Sequence, residues 1–158
     1  MSLQKPALNP GSVAALSRSG YPEPYRARVL PRDRRRLGEA LGLTRIGINQ
    51  TVLLPGKESS MRHWHTHEDE FVYVLEGEVV LRCGAGEQLL RAGMCAGFPA
   101  GSEDGHQLIN RGDAPAVYLE VSNRDPADSA QYSDPDVDLI WNPPHAPGKF
   151  TRRDGTPC

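Results

Sequence analysis

HWHTHEDEFVYVLEGE, residues 63–78, contains three of the five histidines of this 158-residue chain. His63, His65 and His67 occupy alternate positions, and alternate residues of a β-strand point to the same face of a sheet. Two imidazoles on one face form a chelating pair for a divalent metal. Glu70, which begins the next strand-like run, can add a compensating carboxylate. The stretch therefore predicts that one hairpin supplies three ligands to a transition metal.

A fourth ligand has two candidates in the rest of the chain. His106 lies in GHQLIN, which has the pattern of a strand, and His145 lies in the proline-rich stretch PPHAPG. The residues alone leave this choice open.

The sequence around the histidine stretch predicts an all-β fold. Fourteen prolines and sixteen glycines interrupt the chain often, which argues against long helices. Runs of β-branched and aromatic residues recur every eight to twelve positions between turn clusters, a spacing typical of a sandwich or small antiparallel barrel. Examples are TRIGINQTVLL, EFVYVL, EVVLRC, HQLIN and AVYLEV.

One domain with three zones is the expected organisation. Residues 1–42 are rich in proline and arginine and predict an extended N-terminal arm with at most one short strand. Residues 43–121 carry the strand pattern and form the barrel core. Residues 122–158 are rich in aspartate and proline and are expected to wrap the outside, anchored by Trp141 and Phe150.

Composition argues against nucleic-acid and membrane partners and favours a small-molecule ligand. The formal net charge is −2, and the basic run Arg32–Arg36 contains an aspartate, so we interpret it as a solvated face. No stretch approaches 18 uninterrupted apolar residues, and the first twenty residues lack an apolar export segment, so a cytoplasmic protein is expected. Three cysteines without CxxC spacing indicate neither a disulfide framework nor a zinc knuckle.

The histidine stretch resembles the first conserved motif of the cupin superfamily. That motif contains a glycine, an H-x-H pair, a glutamate three or four residues later and a closing glycine. Here these are Gly56, His63, His65, Glu70 and Gly77, and only the first spacing departs from the motif, with six residues instead of five before His63.

A second cupin motif follows in the expected order. It is matched by Gly93, Pro99, Gly101, His106 and Asn110, with four residues instead of two between Gly101 and His106. We interpret the difference as an insertion that lengthens one rim of the barrel. Two linked motifs make the resemblance specific, and it spans about residues 43–121. In its overall sequence pattern the whole chain is most similar to small single-domain bacterial cupins of the Cupin_2 type.

The resemblance implies a double-stranded β-helix, or jelly-roll barrel, that binds a divalent transition metal. The implied ligands are His63, His65, Glu70 and His106. If His65 and His67 were the H-x-H pair of the motif, only two residues would separate His67 from Glu70, fewer than the motif has. His67 is therefore expected to be a solvated turn residue. Three imidazoles and one carboxylate suit Fe, Mn, Ni, Zn or Cu and leave positions for water or substrate on an ion that prefers six ligands.

Such a site predicts a metal-dependent enzyme that acts on a small oxygen-bearing molecule, of dioxygenase, isomerase or lyase type. The alternative is a non-catalytic module that binds or senses a sugar or an organic acid. The sequence names neither the substrate nor a general base. A homodimer is expected by the same resemblance, because small cupins bury the edges and outer faces of their sheets in pairs.

Overall fold

The computed structural model describes residues 4–143 and 149–158. Within these ranges the chain forms twelve β-strands, two five-residue helices and a 3-10 turn at Pro10–Ser12. The helices are α1 (Tyr25–Val29) and α2 (Leu37–Leu41). The strands are β1 (Arg32–Arg36), β2 (Ile46–Leu53), β3 (His63–His65), β4 (Glu70–Glu76), β5 (Glu78–Cys83), β6 (Gly86–Arg91), β7 (Cys95–Phe98), β8 (Gln107–Ile109), β9 (Ala116–Asn123), β10 (Ala130–Tyr132), β11 (Ile140–Trp141) and β12 (Phe150–Thr151).

The strands form three antiparallel sheets. One has the order β1-β2-β9-β4-β7, the second β6-β5-β8 and the third β12-β11-β10-β3. A backbone bridge between His63 and His106 connects β3 of the third sheet to the residue before β8 of the second. Another bridge, between Glu58 and Ile109, connects the segment between β2 and β3 to β8. The prediction of an all-β fold is confirmed.

The main core lies between the five-stranded and three-stranded sheets. Strand β4 shows how the sequence builds it: Val72 and Val74 are buried, whereas Phe71, Tyr73 and Leu75 are exposed on the other face. Each buried aliphatic side chain stabilises the fold by about 1.5–3 kcal/mol relative to an exposed one. The buried members of this core are Leu53, Val72, Val74, Val79, Leu81, Leu90, Leu108, Ala116 and Tyr118.

A second core unites the two terminal zones beside β3. The Tyr21 ring lies 5.4 Å from the ring of Phe150, and the Tyr132 hydroxyl donates to the Tyr21 hydroxyl at 3.1 Å. Its buried members are Tyr21, Val29, Met61, Tyr132, Val137, Leu139 and Phe150.

The terminal zones take a larger part in the fold than the sequence predicted. Strand β1 lies inside the expected N-terminal arm and pairs with β2 along its whole length. Strand β10 was expected to belong to an outer wrap, but it pairs with the histidine strand β3, with Ala130 opposite His65 and Tyr132 opposite His63. Strand β10 has only three residues and lies in a stretch rich in aspartate and proline, so its pattern was not recognised. Phe150 is buried, as an anchor should be.

None of the helices in the described part of the chain is long and apolar enough to cross a membrane.

Candidate metal centre

Four side chains meet at one site. The prediction that β3 and β4 form one hairpin is wrong, because β3 pairs with β10 whereas β4 pairs with β7 and β9 in another sheet. His63 and His65 lie on β3, Glu70 begins β4, and His106 immediately precedes β8. Glu70 Oε2 lies 2.9 Å from His106 Nε2, 3.6 Å from His65 Nε2 and 3.8 Å from His63 Nε2. The two Nε2 atoms of His63 and His65 are 3.2 Å apart. All four residues predicted as ligands are therefore brought together.

The backbone fixes β3 to the residue that precedes β8. His63 N–H donates to the His106 carbonyl at 3.1 Å, and His106 N–H donates to the His63 carbonyl at 2.8 Å. This reciprocal pair holds the two imidazoles at a ring separation of 4.9 Å. The position of His106 is thus set by the same ladder geometry that sets β3.

The outer nitrogens of His63 and His65 determine their tautomers. His63 Nδ1 lies 2.9 Å from the Met61 carbonyl, which can only accept a hydrogen bond. His65 Nδ1 lies 2.5 Å from Asp128 Oδ2. Each imidazole therefore donates from Nδ1, and its Nε2 is directed into the site, where the two Nε2 atoms lie 3.2 Å apart.

Phe98 supports the ring of His106. The two rings stack with centroids 3.6 Å apart and an interplanar angle of 4°. His106 Nδ1 is buried and has no partner among the described residues. Stacking on Phe98 and the contact of Nε2 with Glu70 Oε2 at 2.9 Å therefore orient this imidazole.

His63 and Glu70 have the ionisation states that metal binding requires. Burial, and next the neighbouring His106, lower the pKa of His63 to about 3, so its ring is neutral near pH 7. Burial works to raise the pKa of Glu70, but the hydrogen bond from His106 and the charges of the imidazoles outweigh it, so this pKa lies well below its usual range. These two residues therefore offer a neutral nitrogen and an ionised carboxylate.

The donor spacing also fits a coordination sphere. A metal at about 2.0–2.2 Å from each ligand gives neighbouring ligand atoms a separation of about 3.0–3.5 Å. The ligand atoms of His63, Glu70 and His106 all lie within 4.8 Å of one another and form one group of possible ligands. His65 Nε2 lies 3.2 Å from His63 Nε2 and 3.6 Å from Glu70 Oε2, close to the range for neighbouring ligands. Nε2 of three histidines and one carboxylate oxygen are a suitable donor set for a divalent transition ion.

Asp128 is a site residue that the sequence analysis missed. Its side chain is fully buried, and Oδ1 accepts the backbone N–H groups of His67 at 2.8 Å and Glu68 at 3.2 Å. Burial works to lower the pKa of His65, but the hydrogen bond to Asp128 outweighs it and raises that pKa. Asp128 lies far along the chain in a turn-like segment, so no local pattern marks it.

Asp128 also belongs to a second group of possible ligands, with His65 and Glu68. Its oxygens already accept hydrogen bonds, and Glu68 Oε1 accepts the backbone N–H of Asp125 at 3.0 Å. This group therefore supports His65 from behind.

The other two histidines lie apart from the site or outside the described residues. His67 is exposed, and its Nδ1 lies 2.8 Å from Thr66 Oγ1. It belongs to neither possible ligand group among the described residues. His145, the other candidate for the fourth ligand, lies outside the residues that the structure describes.

The four residues open into a cavity of about 580 Å³. His63, His65, Glu70 and His106 line one part of it, and Tyr21, Tyr132 and Phe150 from the terminal zones line another.

The interpretation of Arg32–Arg36 as a solvated face is wrong. Arg32, Arg34 and Arg36 line the cavity, and Arg32 is only 6% exposed. The cause is strand geometry, since alternate residues of β1 share one face and that face is turned inwards. The Arg-x-Arg-x-Arg alternation in the sequence already indicated that these three side chains share one face of a strand.

Comparison with known proteins gives the same picture as the geometry. The family model described as "Cupin domain" matches residues 50–122. Among curated proteins, the tetracenomycin polyketide synthase protein TcmJ of Streptomyces glaucescens is 30% identical over 111 residues, which cover 70% of this chain and 71% of that protein.

Two solved structures extend the similarity. A sugar phosphate isomerase of the same superfamily from Silicibacter pomeroyi is 43% identical, with a TM-score of 0.91 over 97% of this chain and 96% of that one. A protein from Acidithiobacillus ferrooxidans, proposed to be a sugar phosphate isomerase, is 28% identical, with a TM-score of 0.71 over 80% of each chain. The predicted jelly-roll barrel is confirmed.

Proposed function

Since this chain belongs to the cupin superfamily, we propose that it is a metal-dependent enzyme that binds a small oxygen-bearing molecule inside its barrel. The proposed ligands of the metal are His63, His65, Glu70 and His106. The proposal extends the family relationship to a specific site and a class of reaction.

One observation carries the metal proposal: Glu70 Oε2 lies within 3.8 Å of the Nε2 atoms of all three histidines, and the Nε2 atoms of His63 and His65 are 3.2 Å apart. Met61 and Asp128 hold the rings of His63 and His65 in this orientation, because each accepts the proton on Nδ1.

The donor set suits Fe, Mn, Ni, Zn or Cu, and we leave the choice among them to measurement. Such an ion, when bound, would supply Lewis-acid polarisation of a carbonyl or hydroxyl oxygen. The chain itself holds the substrate in a cavity whose walls combine aromatic rings with charged groups.

Isomerisation is the reaction type that we favour over oxygenation and lyase chemistry. The supporting comparison is the sugar phosphate isomerase from Silicibacter pomeroyi, which is 43% identical over nearly the whole chain. Moving a carbonyl group along a sugar requires a group that takes a proton from one carbon and returns it to the next.

Glu68 is the residue to which we assign this proton transfer. It lines the cavity, and its carboxylate lies within 4.8 Å of ligand atoms of His65 and Asp128. Burial raises its pKa, which makes the carboxylate a stronger base. Glu120, which also lines the cavity, is instead paired with Arg34 at 2.9 Å.

Elemental analysis of protein purified without added metal tests the ligand set. Wild-type protein should contain close to one transition ion per chain. His63→Ala and His106→Ala should lose most of it, because each removes a nitrogen donor. His67→Ala is the matched control and should retain the metal, since its ring lies outside the site. Equal losses in all three variants would refute the assignment.

The same samples test turnover on a panel of phosphorylated aldoses and ketoses. Glu68→Gln should keep its metal and lose most of its activity. Retained metal with no reaction in the wild-type protein would support the alternative function, a module that binds a sugar or an organic acid.

Location in the cytoplasm remains a prediction from the sequence.

A further inference from the structure

The cavity beside the metal centre carries an excess of positive charge. Among its described lining residues, six are cationic and three are carboxylates. The cations are Arg18, Arg32, Arg34, Arg36, Arg124 and Lys149. One carboxylate, Glu70, belongs to the proposed ligand set, and Glu120 is neutralised by Arg34. This excess is unexpected in a chain whose net charge is −2.

The excess is concentrated on one face of one strand. Arg32, Arg34 and Arg36 alternate along β1 and line the cavity, whereas Arg35 is absent from the described lining. Strand β1 belongs to the same sheet as β4, which carries Glu70, with β2 and β9 between them. Three strand spacings of about 4.8 Å separate the two backbones, so a molecule of a few carbon atoms can reach from one side to the other.

Arg32 is the buried member of this row, and its guanidinium lacks acceptors. Nη1 donates to the Ser59 carbonyl, but Nε is buried without a partner. A guanidinium that is 6% exposed and so incompletely paired costs considerable desolvation energy unless an anion completes its hydrogen bonds.

We propose that Arg32 binds the phosphate group of the substrate, whose sugar end lies at the metal centre. This assignment rests on the proposed function and deepens it, because it selects phosphorylated small sugars among oxygen-bearing molecules. A planar guanidinium donates two parallel hydrogen bonds to phosphate oxygens. The cavity volume of about 580 Å³ accommodates a molecule of this size.

Titration calorimetry with inorganic phosphate tests the site directly, using metal-free and metal-loaded protein. Wild-type protein should bind phosphate in both forms. Arg32→Gln should raise the Kd roughly 10- to 100-fold, since charge-assisted hydrogen bonds are lost. Arg32→Lys keeps the charge but loses the paired donors, so its Kd should rise by a smaller factor. The matched control is Arg35→Gln, which removes one charge from the other face of β1 and should change the Kd less than about twofold.

Several results would overturn the assignment. The first is that the wild type does not bind phosphate. The second is that Arg32→Gln and Arg35→Gln weaken phosphate binding equally. The third is that phosphate binding requires the metal and is unchanged by substitution of Arg32. Tighter Arg32-dependent binding of malonate than of phosphate would change the ligand class to carboxylates and would also refute it. Thermal unfolding checks that each variant is folded. If Arg32→Gln does not fold, the phosphate affinity of Arg32→Lys tests the assignment instead.

The phosphate proposal and the metal proposal fail in different ways. Elemental analysis of the Arg32 variants should show unchanged metal content. Arg32-dependent phosphate binding in a protein that never takes up metal would preserve the anion site and refute the metal-dependent reaction. Normal metal content without phosphate binding would preserve the metal site and refute the anion site.

Discussion

Asp128 shows how one buried carboxylate can connect a distant segment to the site. It orients His65 through Nδ1 and accepts two backbone N–H groups from the turn between β3 and β4. Burial opposes its ionisation, but the hydrogen bonds from His65 and the backbone outweigh it and lower the pKa of Asp128. The residue therefore fixes both the tautomer of a proposed ligand and the path of the chain to Glu70.

Asp128→Asn should weaken metal binding by roughly 10- to 100-fold, because the amide can no longer fix the tautomer of His65 as a carboxylate does. Asp69→Asn is the control: Asp69 is exposed, and its Oδ1 accepts the Ala100 N–H at 2.8 Å without touching a ligand. Competition with a metal chelator measures both affinities. Equal affinity in wild type and Asp128→Asn would show that Asp128 only supports the fold.

The sequence predicted some site residues and missed others for clear physical reasons. His63, His65 and Glu70 share a local spacing that strand geometry explains, and the motif resemblance added His106. Asp128 reaches the site only through the pairing of β10 with β3, a long-range contact that no local pattern encodes. The alternation of Arg32, Arg34 and Arg36 was visible in the sequence, but charge alone gives no indication of which face of a strand is buried.

At the scale of elements, the lengthened loop between Gly101 and His106 packs against Ser133, which follows β10. Gly101 has a φ of 69°, a left-handed conformation that glycine adopts readily. Gly105 lies so close to β10 that an added Cβ would stand 2.8 Å from Ser133 Cβ. The insertion is therefore accommodated by tight packing just before His106.

Gly105→Ala should destabilise the protein by about 1–3 kcal/mol, because the new methyl group overlaps Ser133. Gly97→Ala is the matched control in β7, where the nearest described atom to an added Cβ is the Glu70 carbonyl oxygen at 3.9 Å. Its effect should stay within about 0.5 kcal/mol. Urea unfolding measures both, and equal midpoints would show that the loop moves freely away from β10.

Strand length largely determined which elements were predictable. Strands β2, β4, β5 and β9 have six to eight residues each, and their runs of β-branched and aromatic residues were recognised. Strands β10, β11 and β12 have two or three residues and lie in a stretch rich in aspartate and proline. Strand β8 is equally short, but its run HQLIN is apolar enough to have been recognised.

At the scale of the whole molecule, the two ends of the chain complete the barrel. The N-terminal zone contributes Tyr21 and the row of arginines, and the C-terminal zone contributes Tyr132, Phe150 and Asp128. Both zones line the cavity or support it. The boundaries at residues 42 and 122 remain predictions, but the cavity is built from all three zones.

The outer face of the five-stranded sheet supports the expectation of a homodimer. Phe71, Tyr73 and Leu75 are 40%, 37% and 37% exposed along one side of β4. Three large apolar side chains in a row on a central strand are costly to leave in water, and a second copy of the same face would cover them.

Light scattering coupled to size-exclusion chromatography should therefore give a mass of about 35 kDa, twice that of the 17.3 kDa chain, as expected for a symmetric pair. Tyr73→Lys should shift the protein to the monomer, because it places two charges close together across the two-fold axis. Leu89→Lys, at a residue 39% exposed on the three-stranded sheet, should leave the dimer intact. A wild-type mass equal to one chain would contradict the homodimer, and dissociation by Leu89→Lys alone would place the interface on the opposite sheet.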